Sequence, residues 1–183
     1  MTKFNKEYEK EAVSFFRSDK TAILSTISKK YDGYPFGSFV TYVSGWDRTI
    51  FLYLSELADH TKNLKENHKS CITILKKNDK GDIQNSARLT LIGNLEIVPE
   101  KINERCKDRF HNIFPESRAY AQMHDFNFYQ ISITQARWIG GFGKISWLEP
   151  KNWISVPIEW LDNEKRKIDH MNEEHSNTIK YAL

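Results

Sequence analysis

Only two cysteines occur in the 183 residues, Cys71 and Cys106, far apart and in unlike surroundings. Two such residues make neither a disulfide framework nor the paired spacing of a zinc site. Cys71 lies in the apolar run Cys71-Ile72-Thr73-Ile74-Leu75, where a free thiol behaves as a small hydrophobe. No uninterrupted apolar stretch approaches membrane-spanning length, and the opening Met1–Glu7 carries no apolar signal core. The expectation is a reduced, cytoplasmic protein with no membrane partner.

An excess of one charge is missing too. The 27 basic and 24 acidic side chains leave a net +3, without long runs of like charge. That balance gives no electrostatic reason for nucleic acid or an anionic bilayer as partner. No internal repeat is visible. The length fits one domain with a proper core, and 39% hydrophobic and 28% charged residues are an ordinary globular composition.

What is present is mostly β-forming sequence. Residues 5–18 are the early exception, an amphipathic helix with Tyr8, Ala12, Phe15 and Phe16 near one face. Strands are predicted at 22–27, 34–43 and 49–54, with turns at Tyr31-Asp32-Gly33 and Gly45-Trp46-Asp47-Arg48. A short helix over 56–67 leads to a strand at 71–76, an exposed loop, and a long strand at 87–98. There Leu89, Leu91, Leu95 and Ile97 alternate with Arg88, Thr90, Asn94 and Glu96. Helices at 100–113 and 116–123 precede strands at 126–133 and 137–148, the second interrupted by Gly140-Gly141-Phe142-Gly143. Six or seven strands in meander order predict an α+β protein built on an antiparallel, nearly closed barrel with flanking helices. The barrel domain is expected to fill 1–150 and a short helical appendage 151–183.

Three segments carry chemistry. Ser55-Glu56-Leu57-Ala58-Asp59-His60-Thr61-Lys62-Asn63 ends a strand and starts a helix, whose free N–H groups and dipole favour a phosphate. His60, Thr61 and Asn63 add side-chain donors; a capped, solvated helix is the plainer alternative. Arg88 and Thr90 set a cation beside a hydroxyl on one strand face, fit for a phosphate or simply for an exposed exterior. Gly37, next to Ser38, marks either close approach by a ligand or a bulge.

Taken together, Asp32-Gly33-Tyr34-Pro35-x-Gly37-Ser38, Leu54-Ser55-x-Leu57-Ala58-x-His60-Thr61-x-Asn63-Leu64 and Ala87-Arg88-Leu89-Thr90-Leu91-x-Gly93 resemble the pyridoxamine 5'-phosphate oxidase-like FMN-binding split barrels. Asp125-Phe126-x-Phe128, Gly140-Gly141-Phe142-Gly143 and His170-Met171-Asn172-Glu173-Glu174-His175 are similar to the haem iron utilisation branch. The resemblance implies a homodimer with FMN at the subunit interface, held by Gly37, Ser38, Ser55, His60, Thr61, Asn63, Arg88 and Thr90. Ser38 and His60 stand where relatives carry stronger cations, and no basic pair of the oxidase kind lies near the C-terminus, so vitamin B6 oxidation is not expected.

The main expectation is thus a flavin-dependent oxidoreductase tied to haem and iron utilisation. The alternative cofactor is haem, stored or oxidatively opened, with His170 or His175 as the one axial ligand. Five residues apart on a helix, they sit about 140° from each other and do not both face one iron. His124 is an outside candidate. A non-enzymatic regulator or adaptor is the third reading, because fold does not dictate function.

Overall fold

Strand alternation decides which residues enter the barrel. In the computed structural model, residues 6–45, 47–76, 81–123 and 125–148 are described. The chain runs α1 (Lys6–Ser18), β1 (Thr21–Ile27), β2 (Pro35–Thr41), β3 (Val43–Ser44), β4 (Ile50–Ser55), α2 (Asp59–Glu66) and β5 (Lys69–Leu75). It continues through β6 (Arg88–Ile97), α3 (Glu100–Ile113), a 3-10 segment (Pro115–Gln122), β7 (Phe126–Ile139) and β8 (Ile145–Leu148). This is the expected α+β class, an antiparallel sheet curled into a split barrel.

The strand order β2-β1-β5-β6-β7-β4-β3, with β8 beside β7, replaces the expected meander. Insertion of α2 after β4 returns the chain to the far side of β1. Insertion of α3 after β6 lets β7 pair with both β6 and β4. The edge strand β2 comes against β4, but no ladder joins them among the described residues, which leaves the barrel split.

Inward rows build the main core: Leu24, Ile72, Leu91 and Ala136 align across four strands, and Leu52, Leu89 and Leu95 join them. Helix α1 closes this core with Ala12, Phe15 and Phe16. Phe16 stacks on Tyr42, whose hydroxyl donates to the Phe16 carbonyl at 2.7 Å. A second cluster under α3 joins Val43, Phe51, Cys106, Phe110 and Phe128. Each large side chain so buried contributes roughly 1.5–3 kcal/mol.

Several local expectations are corrected. The helix predicted from 56 begins only at Asp59, because Ser55–Ala58 forms a turn closed by Ala58 N–H on the Ser55 carbonyl. The segment 116–123 is 3-10 rather than α. The strands predicted at 126–133 and 137–148 join into one β7 that runs unbroken to Ile139, and the interruption expected at Gly140-Gly141-Phe142-Gly143 is the turn into β8. The apparent break at 134–136 is a bulge, since Ile92 pairs with Gln135 and Gly93 with Ile133, leaving Thr134 over. Glycine is required there, as a Cβ on Gly93 would lie 2.1 Å from the Ser132 carbonyl oxygen. Ile97 is exposed at the barrel end instead of joining Leu95 inside, and Val98 is buried in its place.

Candidate functional site

The end of β4 and the start of α2 form one side of a cavity of about 290 Å³. Phe39, Tyr53 and Phe126 give it aromatic walls, and Ser55 and His60 give it polar groups. Tyr53 lies between Phe126 and Phe128, with ring centroids 5.1 and 4.3 Å away. Burial, then the Asp125 carboxylate, raises the Tyr53 phenol above its ordinary range, keeping it protonated.

Ser55 holds this wall in shape. Its hydroxyl donates to Asp125 Oδ2 at 2.7 Å and accepts the Leu57 N–H at 3.1 Å. Next to it, Glu56 accepts from Asn127 and Tyr129 and pairs with Lys65 at 2.6 Å. Burial alone would push the Glu56 carboxyl up; the bonds from Asn127, Lys65 and Tyr129 outweigh that and hold it below its usual range.

His60 is the chemically open group. Its Nε2 is buried and has no hydrogen-bond partner. Burial lowers its pKa, against a smaller opposing pull from Asp59, so the ring is neutral at pH 7. A buried polar atom left unpaired costs stability unless something completes it. Thr61 Oγ1, on the buried face of α2, is likewise without a partner.

The other expected site residues divide among separate places. Asn63 is buried and fully used: Nδ2 donates to Thr26 Oγ1 at 3.0 Å, and Oδ1 accepts the Lys29 N–H at 2.9 Å. Ser38 lies opposite Leu24, in the row that continues through the core. Gly37, Arg88 and Thr90 sit instead on the outer face. One outer row reads Phe39, Ile23, Thr73, Thr90, Arg137, Trp147 across the sheet. Arg88 donates to the Gln84 and Ser86 carbonyls, each at 3.2 Å.

Within one chain, then, Ser55 and His60 share the cavity, while Arg88 and Thr90 stand three strands away from β2. Phe39 connects the two regions, because it belongs to both the outer row and the cavity wall. His124, His170 and His175 lie outside the described residues, as does the appendage 151–183.

His111, on α3 beside Phe110, is not the helix-surface residue that its place in the sequence suggests. It is buried, with Nδ1 2.7 Å from Ser117 Oγ. The serine proton goes to the Phe114 carbonyl, so Nδ1 carries the imidazole proton. Burial, then Arg118 and Lys107, lowers its pKa against Asp108. The wall residue Tyr53 was also missed; the signal was an aromatic facing away from Leu52 and Leu54 on β4. Among the described residues no group of three or more His, Cys, Asp or Glu stands ready for a metal, and no helix is long and apolar enough to cross a membrane.

Residues 5–155 match a family model described as "CREG, beta-barrel". The chain is 31% identical over 165 residues to "Non-canonical heme oxygenase HOZ, chloroplastic" of Arabidopsis thaliana. That alignment takes in 86% of this chain and 50% of the relative, so the chain spans about half the relative's length. A heme binding protein from Mycobacterium smegmatis superposes with a TM-score of 0.73 at 24% identity, over 92% of this chain and 69% of that one. A Clostridium acetobutylicum protein of the pyridoxinephosphate oxidase family superposes with a TM-score of 0.60 at 16% identity, over 82% and 99%. At these identities the solved structures establish the fold, and it is the split barrel expected from the motifs.

Proposed function

The chain belongs to the CREG, beta-barrel family, and on that premise we propose that it binds haem and works in haem utilisation. The observation that carries this reading is the buried, unpartnered Nε2 of a neutral His60 in an aromatic-walled cavity. Neutral imidazole is a competent iron ligand, and flat aromatic walls suit a porphyrin. None of the described residues lining the cavity is a lysine or arginine, which fits a phosphate dianion poorly. The relative named as a heme oxygenase supports the same reading. Haem would bring redox-active iron; the chain's part is to orient the ring with Phe39, Tyr53 and Phe126 and to meet it with His60.

A volume of about 290 Å³ is small for a porphyrin. We therefore propose a homodimer in which a second copy completes the site. The outer face supports this: Phe39 is 70% exposed, and Ile23, Leu75, Ile92 and Trp147 also reach solvent there. Five large apolar side chains left exposed on one sheet face, interspersed with Thr73, Thr90 and Arg137, suit an interaction surface.

FMN is the second reading, and Arg88 with Thr90 on the outer face is the observation favouring it. A second copy stacked on that face would put this cation and hydroxyl beside a ligand lying between the chains. Parallel titrations with hemin and FMN, followed by absorbance, separate the two. Saturable binding of one hemin per chain, lost in His60→Ala, supports haem at the cavity. Saturable FMN binding, with hemin taken up only non-specifically, supports the flavin reading. If His60→Ala keeps a ligated Soret band while His170→Ala or His175→Ala loses it, the iron ligand comes from the tail.

A further inference from the structure

We infer that the groove between α1 and the β3–β4 turn is a second ligand site, one that takes an oligophosphate. The groove measures about 670 Å³ and shares no lining residue with the His60 cavity. Lys6, Lys10, Ser14 and Arg17 recur along one side of α1, and Arg48 enters from the β3–β4 turn. The backbone of Arg48 is left-handed, at φ 68°, a conformation uncommon for residues with a side chain. Its guanidinium meets Glu9 Oε1 at 2.5 Å. Glu9 is the only carboxylate among the described lining residues, and its pairing with Arg48 leaves the net positive charge of the lining with Lys6, Lys10 and Arg17.

Charge and length together define the ligand. From Lys6 to Arg17 the helix rises about 16 Å, at roughly 1.5 Å per residue. One phosphate meets at most one end of such a row, whereas linked phosphates reach along it. The Ser14 hydroxyl on the same wall adds a neutral donor to phosphate oxygens, whereas that of Ser18 already donates to the Phe15 carbonyl at 2.9 Å. An acidic peptide fits less well, because Val13 is the only apolar residue among the described lining residues and protein interfaces depend on buried aromatic or apolar anchors. A nucleic-acid strand fits less well too, since the described lining residues offer no aromatic ring for a base. Free polyphosphate and the tail of a nucleoside triphosphate share the chemistry that remains.

Calorimetry of the full chain at low ionic strength tests the assignment, with sodium tripolyphosphate, ATP and inorganic phosphate as probes. Tripolyphosphate is expected to bind at least tenfold tighter than inorganic phosphate. The exposed pair Lys6→Glu/Lys10→Glu should weaken it at least tenfold. Lys69→Glu/Lys101→Glu, which changes net charge equally at exposed positions elsewhere, should leave it within about twofold. His60→Ala should also leave it unchanged, which keeps this site's fate separate from the haem reading. ATP matching or exceeding tripolyphosphate identifies a nucleotide; weaker ATP binding identifies free polyphosphate. Absence of tripolyphosphate binding, equal losses in the two lysine pairs, or equal affinity for inorganic phosphate overturns the proposal.

Discussion

The hydroxyl of Ser55 donates to Asp125 Oδ2 at 2.7 Å, tying the last residue of β4 to the residue just before β7. Glu56 N–H donates to the Asp125 carbonyl beside it, so one acidic residue holds the first two residues of the turn that carries the cavity wall. Ser55→Ala is expected to cost about 1–2 kcal/mol, the scale of a hydrogen bond to a charged acceptor at a half-buried site. Urea unfolding measures it, and haem affinity should fall with it because the wall loosens. Unchanged stability would mean that the Glu56 contact alone fixes the turn.

Asn63 should behave as a structural fastener between α2 and β1. Asn63→Ala removes both of its bonds and leaves a small void, for an expected loss of about 2–4 kcal/mol. Asn63→Asp keeps the acceptor for Lys29 N–H but gives up the donor to Thr26 and buries a carboxylate, so its loss should be at least as large. Denaturant midpoints rank the three proteins. A ligand-binding defect in Asn63→Ala at full stability would instead make it a contact residue.

Two glycines should respond in opposite ways. Gly93→Ala forces a Cβ into the Ser132 backbone at the β6–β7 bulge, and the variant should lose several kcal/mol or fail to fold. Gly37→Ala meets only Ile23 Cγ2, at an ordinary 3.7 Å, and should fold normally. Because Gly37 faces outward beside Phe39, its effect is expected in sedimentation, as a weakened dimer. A stable, fully dimeric Gly37→Ala would remove that glycine from the interface.

Much of this fold was legible because β1, β5 and β6 alternate and most of their inward residues are apolar, with Thr26 and Ser70 as buried polar exceptions. Pro99 likewise marked the start of α3. The strand order was not legible: local pattern says that β4 is a strand but not that β7 becomes its partner. Nor did pattern reveal the bulge at Thr134, where two polar residues and an alanine imitate a turn. At the site, the Ser55–Asn63 segment was found from its polar density. Its division into an open His60 and a fully bonded Asn63 depends on Thr26 and Lys29, which are remote in sequence. Arg88 and Thr90 were paired correctly on one face, but sequence could not tell that the face lies away from the His60 cavity.

Stability should depend on pH through His60 and His111. Burial holds both pKa values below the ordinary value in the folded chain, and unfolding releases them. The unfolded chain then binds more protons, so this contribution is complete above about pH 6.5 and is lost as pH falls through that value toward the folded pKa. Urea stability measured from pH 8 to pH 5 should decline across that window, and His60→Asn/His111→Asn should flatten the decline. An equally steep profile in the double variant would assign the effect to other groups.

A hemin titration of the dimer, read at the Soret band in the wild type and in His60→Ala, tests the central claim most directly. The account predicts saturation at one haem per chain in the wild type and at least a tenfold loss of affinity in a folded, dimeric His60→Ala. A wild-type protein that shows no saturable Soret change, or a variant that binds haem with unchanged affinity and spectrum, would contradict it.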